Sequence, residues 1–265
     1  MKPARQLTAE RMIRALYRKL ARAWGPQHWW PAESPFEVIA GAILTQNTAW
    51  ANVERAIASL RAAGVLSVGG IREVGLPELE QLVRSSGYYR RKARRLKRFV
   101  AFLDETYGGS VERMFTAATQ PLRTQLLSLN GIGHETADAI LLYAGNHEIF
   151  VVDAYARRIL ERHGAIGTKA GYEDIRVLVE RALQREQGGG AGREGSAEPV
   201  HIHAPTTMSE ASRPPLAQIY NEMHGLLVQV GKHYCGKAEA KCEKCPLRSL
   251  LPDGKRALFP PSAIR

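Results

Sequence analysis

Asp153 stands between the apolar run Ile149-Phe150-Val151-Val152 and the stretch Ala154-Tyr155-Ala156-Arg157. An ionised carboxylate there can stabilise positive charge developing on a reacting carbon, or orient a water molecule. The same position also suits a helix N-cap, and the two roles are compatible. Upstream, Leu129-Asn130-Gly131-Ile132-Gly133 lies between two stretches of helical periodicity. Two glycines around one apolar residue permit a tight turn with close backbone approach. Ile132 can plug the space between the helices, and the free N–H groups of the next helix can hold a phosphate oxygen. Three cysteines, Cys235, Cys242 and Cys245, fall within eleven residues. An odd, clustered set in a chain without a secretory signal points to metal ligation rather than to disulfides.

Positioning these groups is work for helices. Apolar residues recur at three- and four-residue spacings over 12–24, 36–44, 53–60, 77–83, 96–103, 122–127, 137–143, 154–160, 175–183 and 216–230. Strand-like alternation is scarce, and the fold class is all-α. Residues 184–215 break the pattern: Gly188-Gly189-Gly190, several Ser and Pro and few large apolar residues predict a flexible insertion. The chain of 265 residues is 45% hydrophobic, enough for a sizeable core in one large domain or two small ones. No apolar run approaches the ~20 residues of a membrane span. The reading is of a cytoplasmic protein, nucleoid-associated in a bacterial or archaeal cell, monomeric and without a membrane partner.

The formal net charge is +11, which favours a polyanionic partner. Seven of the nine residues from 90 to 98 are basic: Arg90, Arg91, Lys92, Arg94, Arg95, Lys97 and Arg98. They follow Tyr88-Tyr89 and have no balancing acids, whereas Leu96, Phe99 and Val100 keep a narrow apolar seam. Such residues contribute affinity rather than sequence choice.

Taken in order, these motifs resemble the endonuclease III branch of the helix-hairpin-helix DNA glycosylases. The resemblance runs through Gly41-Ala42-Ile43-Leu44-Thr45-Gln46-Asn47-Thr48, Gly87-Tyr88-Tyr89-Arg90-Arg91-Lys92-Ala93, the hairpin, Val152-Asp153 and the cysteine segment, with the insertion interrupting it. It implies a two-lobed fold. Residues 25–137 form a six-helix barrel ending in the helix-hairpin-helix. Residues 1–24 and 138–265 form a second helical domain with a cysteine loop at 235–251. The implied partner is double-stranded DNA containing a damaged base. Leu129, Gly131, Ile132, Gly133 and Lys92 contact it, Tyr88 wedges the duplex and Gln46 fills the gap left by a flipped base.

Two positions depart from the family pattern. Many members carry a lysine two residues after the second hairpin glycine, whose amine forms a Schiff base with the sugar and cleaves the strand. Here that residue is Glu135, and a carboxylate cannot form a Schiff base. The chain is therefore read as a monofunctional glycosylase without lysine-based lyase activity at that position, and Asp153 is its catalytic carboxylate. It looks most like the 3-methyladenine DNA glycosylase III type, which acts on alkylated purines. Such purines are cationic, and aromatic faces attract cations. Trp29, Trp30 and Trp50 are the candidate pocket aromatics, with Glu135 as a further contact to the base. Alternative readings are a glycosylase for oxidised or mismatched bases and a non-catalytic lesion-DNA-binding protein.

The second departure is in the cysteine loop. Cys235-x6-Cys242-x2-Cys245 matches the family's [4Fe–4S] loop, but Leu251 stands where the fourth cysteine belongs. A [4Fe–4S] cluster normally takes four thiolates. The open outcomes are a cluster with an incomplete ligand set, a Cys3His zinc site completed by His233, or a loop without metal.

Overall fold

The computed structural model describes residues 3–186 and 203–252. Thirteen α-helices run along these residues. The first seven are α1 (Pro3–Trp24), α2 (Pro35–Leu44), α3 (Trp50–Ala62), α4 (Val68–Glu73), α5 (Leu76–Leu82), α6 (Tyr89–Tyr107) and α7 (Val111–Phe115). The rest are α8 (Thr119–Ser128), α9 (His134–Ala139), α10 (Ala154–Arg162), α11 (Tyr172–Leu183), α12 (Thr207–Glu210) and α13 (Pro215–His233). Among the described residues there is no strand; Cys235 and Ala240 form one isolated antiparallel bridge. Ile149–Val152 is extended and buried but pairs with nothing strand-like. No described helix is long and apolar enough to cross a membrane.

The chain divides into two compact units. One comprises Ala32–His147 with Thr206–Ala211; the other comprises Met1–Pro31, Glu148–Pro205 and Ser212–Arg265. Of the segment read as a flexible insertion, 187–202 lies outside the described residues, and Thr207–Glu210 is helical.

In the hairpin unit, α2 is apolar apart from Glu37 and is buried from Phe36 to Leu44. It starts cleanly because the Ser34 hydroxyl accepts from Glu37 N–H, and Pro35 is preset for the first helical position. Packed around α2 are α3, α6 and the π-type turn Ile140–Ala144 that continues α9. Helix α6 turns Ala93, Leu96, Phe99, Val100 and Leu103 inward and leaves Arg90, Arg91, Arg94 and Arg98 exposed.

In the other unit, α13 is the central helix, buried almost throughout from Ala217 to Gly231. Helices α1, α10 and α11 pack on it. Gly231 allows α10 a close approach: a Cβ there would lie 2.0 Å from the Tyr155 ring. Ile13, Leu16, Leu20 and Trp24 of α1 complete this core. At about 1.5–3 kcal/mol per fully buried large apolar side chain, the two cores supply most of what opposes chain entropy.

Candidate nucleic-acid interface and catalytic carboxylate

The hairpin turn is shaped by backbone chemistry and clasped by side chains. Gly131 has φ +94°, a left-handed conformation that favours glycine. A Cβ there would stand 2.1 Å from Arg95 Nε, so the Arg95 guanidinium lies directly against the bare backbone. Ile132 N–H donates to Leu129 O at 2.9 Å, and the Ile132 side chain is buried as the plug between the helices. Gly133 then caps α9 without any side-chain partner. Gln46, just beyond the end of α2, donates from Nε2 to Gly131 O at 2.9 Å and to Thr136 Oγ1 at 2.8 Å. Its Oε1 accepts from Arg95, and Arg98 donates to Asn130 O at 3.2 Å. The amide of Gln46 is thus engaged with the hairpin itself. Leu129 is half-buried, whereas Gly133 and Glu135 are exposed.

Two buried charges hold this surface together. Arg123 of α8 makes a two-pronged pair with Asp138 of α9: Nε to Oδ1 at 2.6 Å and Nη2 to Oδ2 at 3.0 Å. Nη2 also lies 3.2 Å from His134 Nδ1. The helices on either side of the hairpin are therefore cross-linked by a fully buried, geometrically matched pair. Sequence reading missed it, because the partners are fifteen residues apart and each looks like a surface charge.

Lys92 requires a correction. It is wholly buried and so is not a direct DNA contact. Its ammonium donates to Leu44 O at 2.8 Å and to Ser86 O at 2.5 Å. It ties the C-terminus of α2 to the turn before α6, and so supports the segments carrying Gln46 and Tyr88. Burial pulls its pKa down to about 8, and the nearby Arg95 adds to the shift. A signal was present: Lys92 sits four residues before Leu96 and seven before Phe99, on the inward stripe of α6. Tyr88, by contrast, is 65% exposed and left-handed at φ +45°. Its ring stands out on the rim where the basic face of α6 begins. Trp50, at the start of α3, is half-buried and donates from Nε1 to Glu54 Oε1 at 2.9 Å.

In the other unit, Asp153 caps α10. Its Oδ1 accepts from Ala156 N–H at 2.7 Å, which fixes the carboxylate's orientation. Its Oδ2 lies 3.7 Å from His224 Nε2 of α13, and the side chain is 14% exposed. Burial lowers the His224 pKa, and the Asp153 charge opposes that shift. Sequence reading missed His224, which sits in a run of buried helix residues with no local mark of function. Trp29 and Trp30 are both buried, with ring centroids 5.3 Å apart. Trp29 packs on α13 at Gly225, where a Cβ would stand 3.0 Å from the Trp29 Cβ. Lys232 Nζ sits 5.6 Å from the centroid of the same ring, in a cation–π contact.

The cysteine loop belongs to this unit. Cys235, Cys242 and Cys245 line one small cavity with Arg162, His163, Leu247 and Leu251. Arg162 donates to the Cys235 sulfur at 3.1 Å and to Gly236 O at 2.9 Å, and Arg158 donates to Cys235 O at 2.8 Å. Burial pushes the Cys245 thiol up to about 11, with smaller contributions from Cys235 and Cys242. His233, the expected partner in a Cys3His set, is exposed and does not line this cavity. Among the described residues, no group of three or more His, Cys, Asp or Glu side chains converges on a single-ion site.

Comparison with known proteins agrees with this arrangement. The family model for the HhH-GPD superfamily of base excision DNA repair proteins matches residues 40–185. A Methanocaldococcus jannaschii protein provisionally named a DNA repair glycosylase is 40% identical over 238 residues, covering 89% of this chain and 94% of that protein. The chain therefore belongs to the HhH-GPD superfamily of base excision repair glycosylases. The crystal structure of an H. pylori 3-methyladenine DNA glycosylase bound to 1,N6-ethenoadenine aligns with a TM-score of 0.66 and 29% identity, over 84% of this chain and 97% of that one. A trapped endonuclease III–DNA covalent intermediate shares the fold, with a TM-score of 0.67 and 22% identity, over 92% and 96% of the two chains.

Proposed function

We propose that this protein is a monofunctional glycosylase that excises N-alkylated purines, such as 3-methyladenine, from double-stranded DNA, with Asp153 as the catalytic carboxylate. The observation that carries the proposal is the geometry at Asp153. One carboxylate oxygen is held by a helix N-terminus, and the other is aimed away from that bond with partial access to solvent. The H. pylori relative, a 3-methyladenine glycosylase by name, supports the choice of substrate.

The chemistry follows from the lesion. N-alkylation places a positive charge on the purine, so the base leaves readily with the electron pair of its bond to C1′. An ionised Asp153 stabilises the oxocarbenium-like sugar left behind and takes a proton from the water that adds to C1′. Half-buried Trp50 and exposed Glu135 offer contacts to a cationic ring, whereas Trp29 and Trp30 are buried and Lys232 already sits by the Trp29 ring. The hairpin, Tyr88 and the exposed arginines of α6 hold the backbone and the distorted duplex, acting as a monomer. Strand cleavage through a Schiff base requires an amine at position 135, where this chain carries a carboxylate. The product is an intact abasic strand.

The test is a panel of duplexes carrying 3-methyladenine, ethenoadenine, an oxidised pyrimidine or a mismatch. Free base is read by chromatography and strand nicking on a denaturing gel. Release of 3-methyladenine without nicking is expected. Preferential release of an oxidised or mismatched base would overturn the substrate assignment, and tight binding with no release from any duplex would overturn the enzymatic one.

A further inference from the structure

A cluster of the kind found in this family's cysteine loop needs a fourth donor, and Leu251 cannot supply one. His163, the residue after the end of α10, lines the same cavity as the three cysteines. It is 95% buried, being 5% exposed. Its Nδ1 lies 2.8 Å from Ile159 O, and a carbonyl only accepts, so Nδ1 carries the proton. Nε2 is the ring nitrogen not fixed by Ile159; it is buried and makes no hydrogen bond of ordinary geometry, although the Leu247 backbone lies close enough to act on the ring. A backbone carbonyl on one ring nitrogen is the usual way a protein fixes the tautomer of a metal-ligating histidine. An orphaned buried nitrogen costs about 1–3 kcal/mol unless something binds it.

We propose that His163 Nε2 is the fourth ligand of an iron–sulfur cluster whose other three ligands are Cys235, Cys242 and Cys245. The donor set suits the group: three thiolates with one imidazole are within the known range of iron–sulfur ligation. The sequence spacing Cys235-x6-Cys242-x2-Cys245 is the one that resembles the family's iron–sulfur loop. Zinc draws its ligands to about 2.0–2.3 Å from one point, and no three such side chains converge that way among the described residues. The void that the three cysteines line is about 20 Å³ and partly open. Cys242 opens a short 3-10 turn and Cys245 follows its end, and both are only half-buried, so theirs is the side that yields when a cluster is seated. Leu251 closes the wall where a fourth cysteine would otherwise stand. The imidazole ligand shifts the cluster's potential upward relative to an all-thiolate one.

The experiment uses the full chain, produced with iron and sulfide supplied, labelled with 15N-histidine and purified without oxygen. Iron, acid-labile sulfide and zinc are measured, and the reduced protein is examined by pulsed EPR. About four irons per chain are expected, together with a hyperfine coupling to histidine nitrogen. That coupling should disappear in His163→Cys, which keeps four donors, and the midpoint potential should fall. In His233→Ala, which changes an exposed residue, the coupling should persist. If His163→Cys does not fold, the wild-type and His233→Ala spectra still decide. Zinc or no metal in the wild type, no nitrogen coupling, or coupling retained in a folded His163→Cys would each overturn the proposal.

Discussion

The hairpin and the cysteine loop are both short motifs in which one expected residue has been replaced, and the two replacements sit in opposite environments. Glu135 occupies the family's lysine position on an exposed part of α9. Around it the scaffold is complete: the Arg123–Asp138 pair, the Gln46 bridge and the Arg95 clasp on Gly131 are all in place. Leu251 stands where the family resemblance expects a fourth cysteine, and it is buried in the wall of the cysteine cavity. That loop has little structure of its own and is fastened mainly by Arg158 and Arg162 of α10. An exposed reactive side chain can thus be exchanged with a change in chemistry and almost none in stability. A buried donor position is exchanged at the expense of its neighbours, and on our proposal His163 answers for it.

Four substitutions sharpen this contrast. The largest effect is expected from Arg123→Ala, which removes the two-pronged partner of the buried Asp138. Breaking such a pair costs roughly 3–5 kcal/mol, read by urea unfolding. A loss below about 1 kcal/mol would mean that the hairpin is not held by that pair.

Lys92→Met comes next, leaving the carbonyls of Leu44 and Ser86 unpaired at a cost of roughly 1–3 kcal/mol near neutral pH. Its pH dependence is diagnostic. With the folded pKa lowered to about 8, the unfolded chain holds a proton that the folded one has lost, between about pH 8 and the free lysine value of about 10.4. Wild-type stability therefore gains a rising component across that window, and Lys92→Met lacks it. Identical pH profiles would contradict the buried position of this ammonium.

Arg158→Ala is expected to cost about 1 kcal/mol globally. It should speed proteolysis within 235–251 more than within the hairpin, because it removes a fastening of the loop. The smallest stability effect belongs to Glu135→Lys, within about 0.5 kcal/mol as for other exposed sites. It should nevertheless create a borohydride-trappable complex with abasic DNA. Failure to trap one would show that the hairpin's geometry, and not only residue 135, departs from the lyase members of the family.

Much of this was legible in the sequence, for physical reasons that can be named. The turn at Gly131 needs a residue tolerant of positive φ, and an Asp before a helical stretch is an N-cap signal; both features are local. The three cysteines announce themselves by clustering. What stayed hidden depends on partners far along the chain. Lys92 looks like its six basic neighbours until its place on the inward stripe of α6 is weighed. His224 meets Asp153 across seventy-one residues, and His163 shares a cavity with cysteines at least seventy-two residues away. No spacing rule links such pairs; only the packing of α10 against α13 does.

The central claim is that Asp153 drives base loss and that the reaction stops there. The most direct measurement is single-turnover cleavage of a duplex containing 3-methyladenine by the wild type and by Asp153→Asn, with free base and strand breaks followed separately. Asparagine still caps α10, so the fold should be retained. The account predicts unbroken abasic DNA from the wild type and a fall in base release of about 10²–10³-fold in the variant. Base release unchanged in Asp153→Asn, or strand breaks appearing together with free base in the wild type, would contradict it.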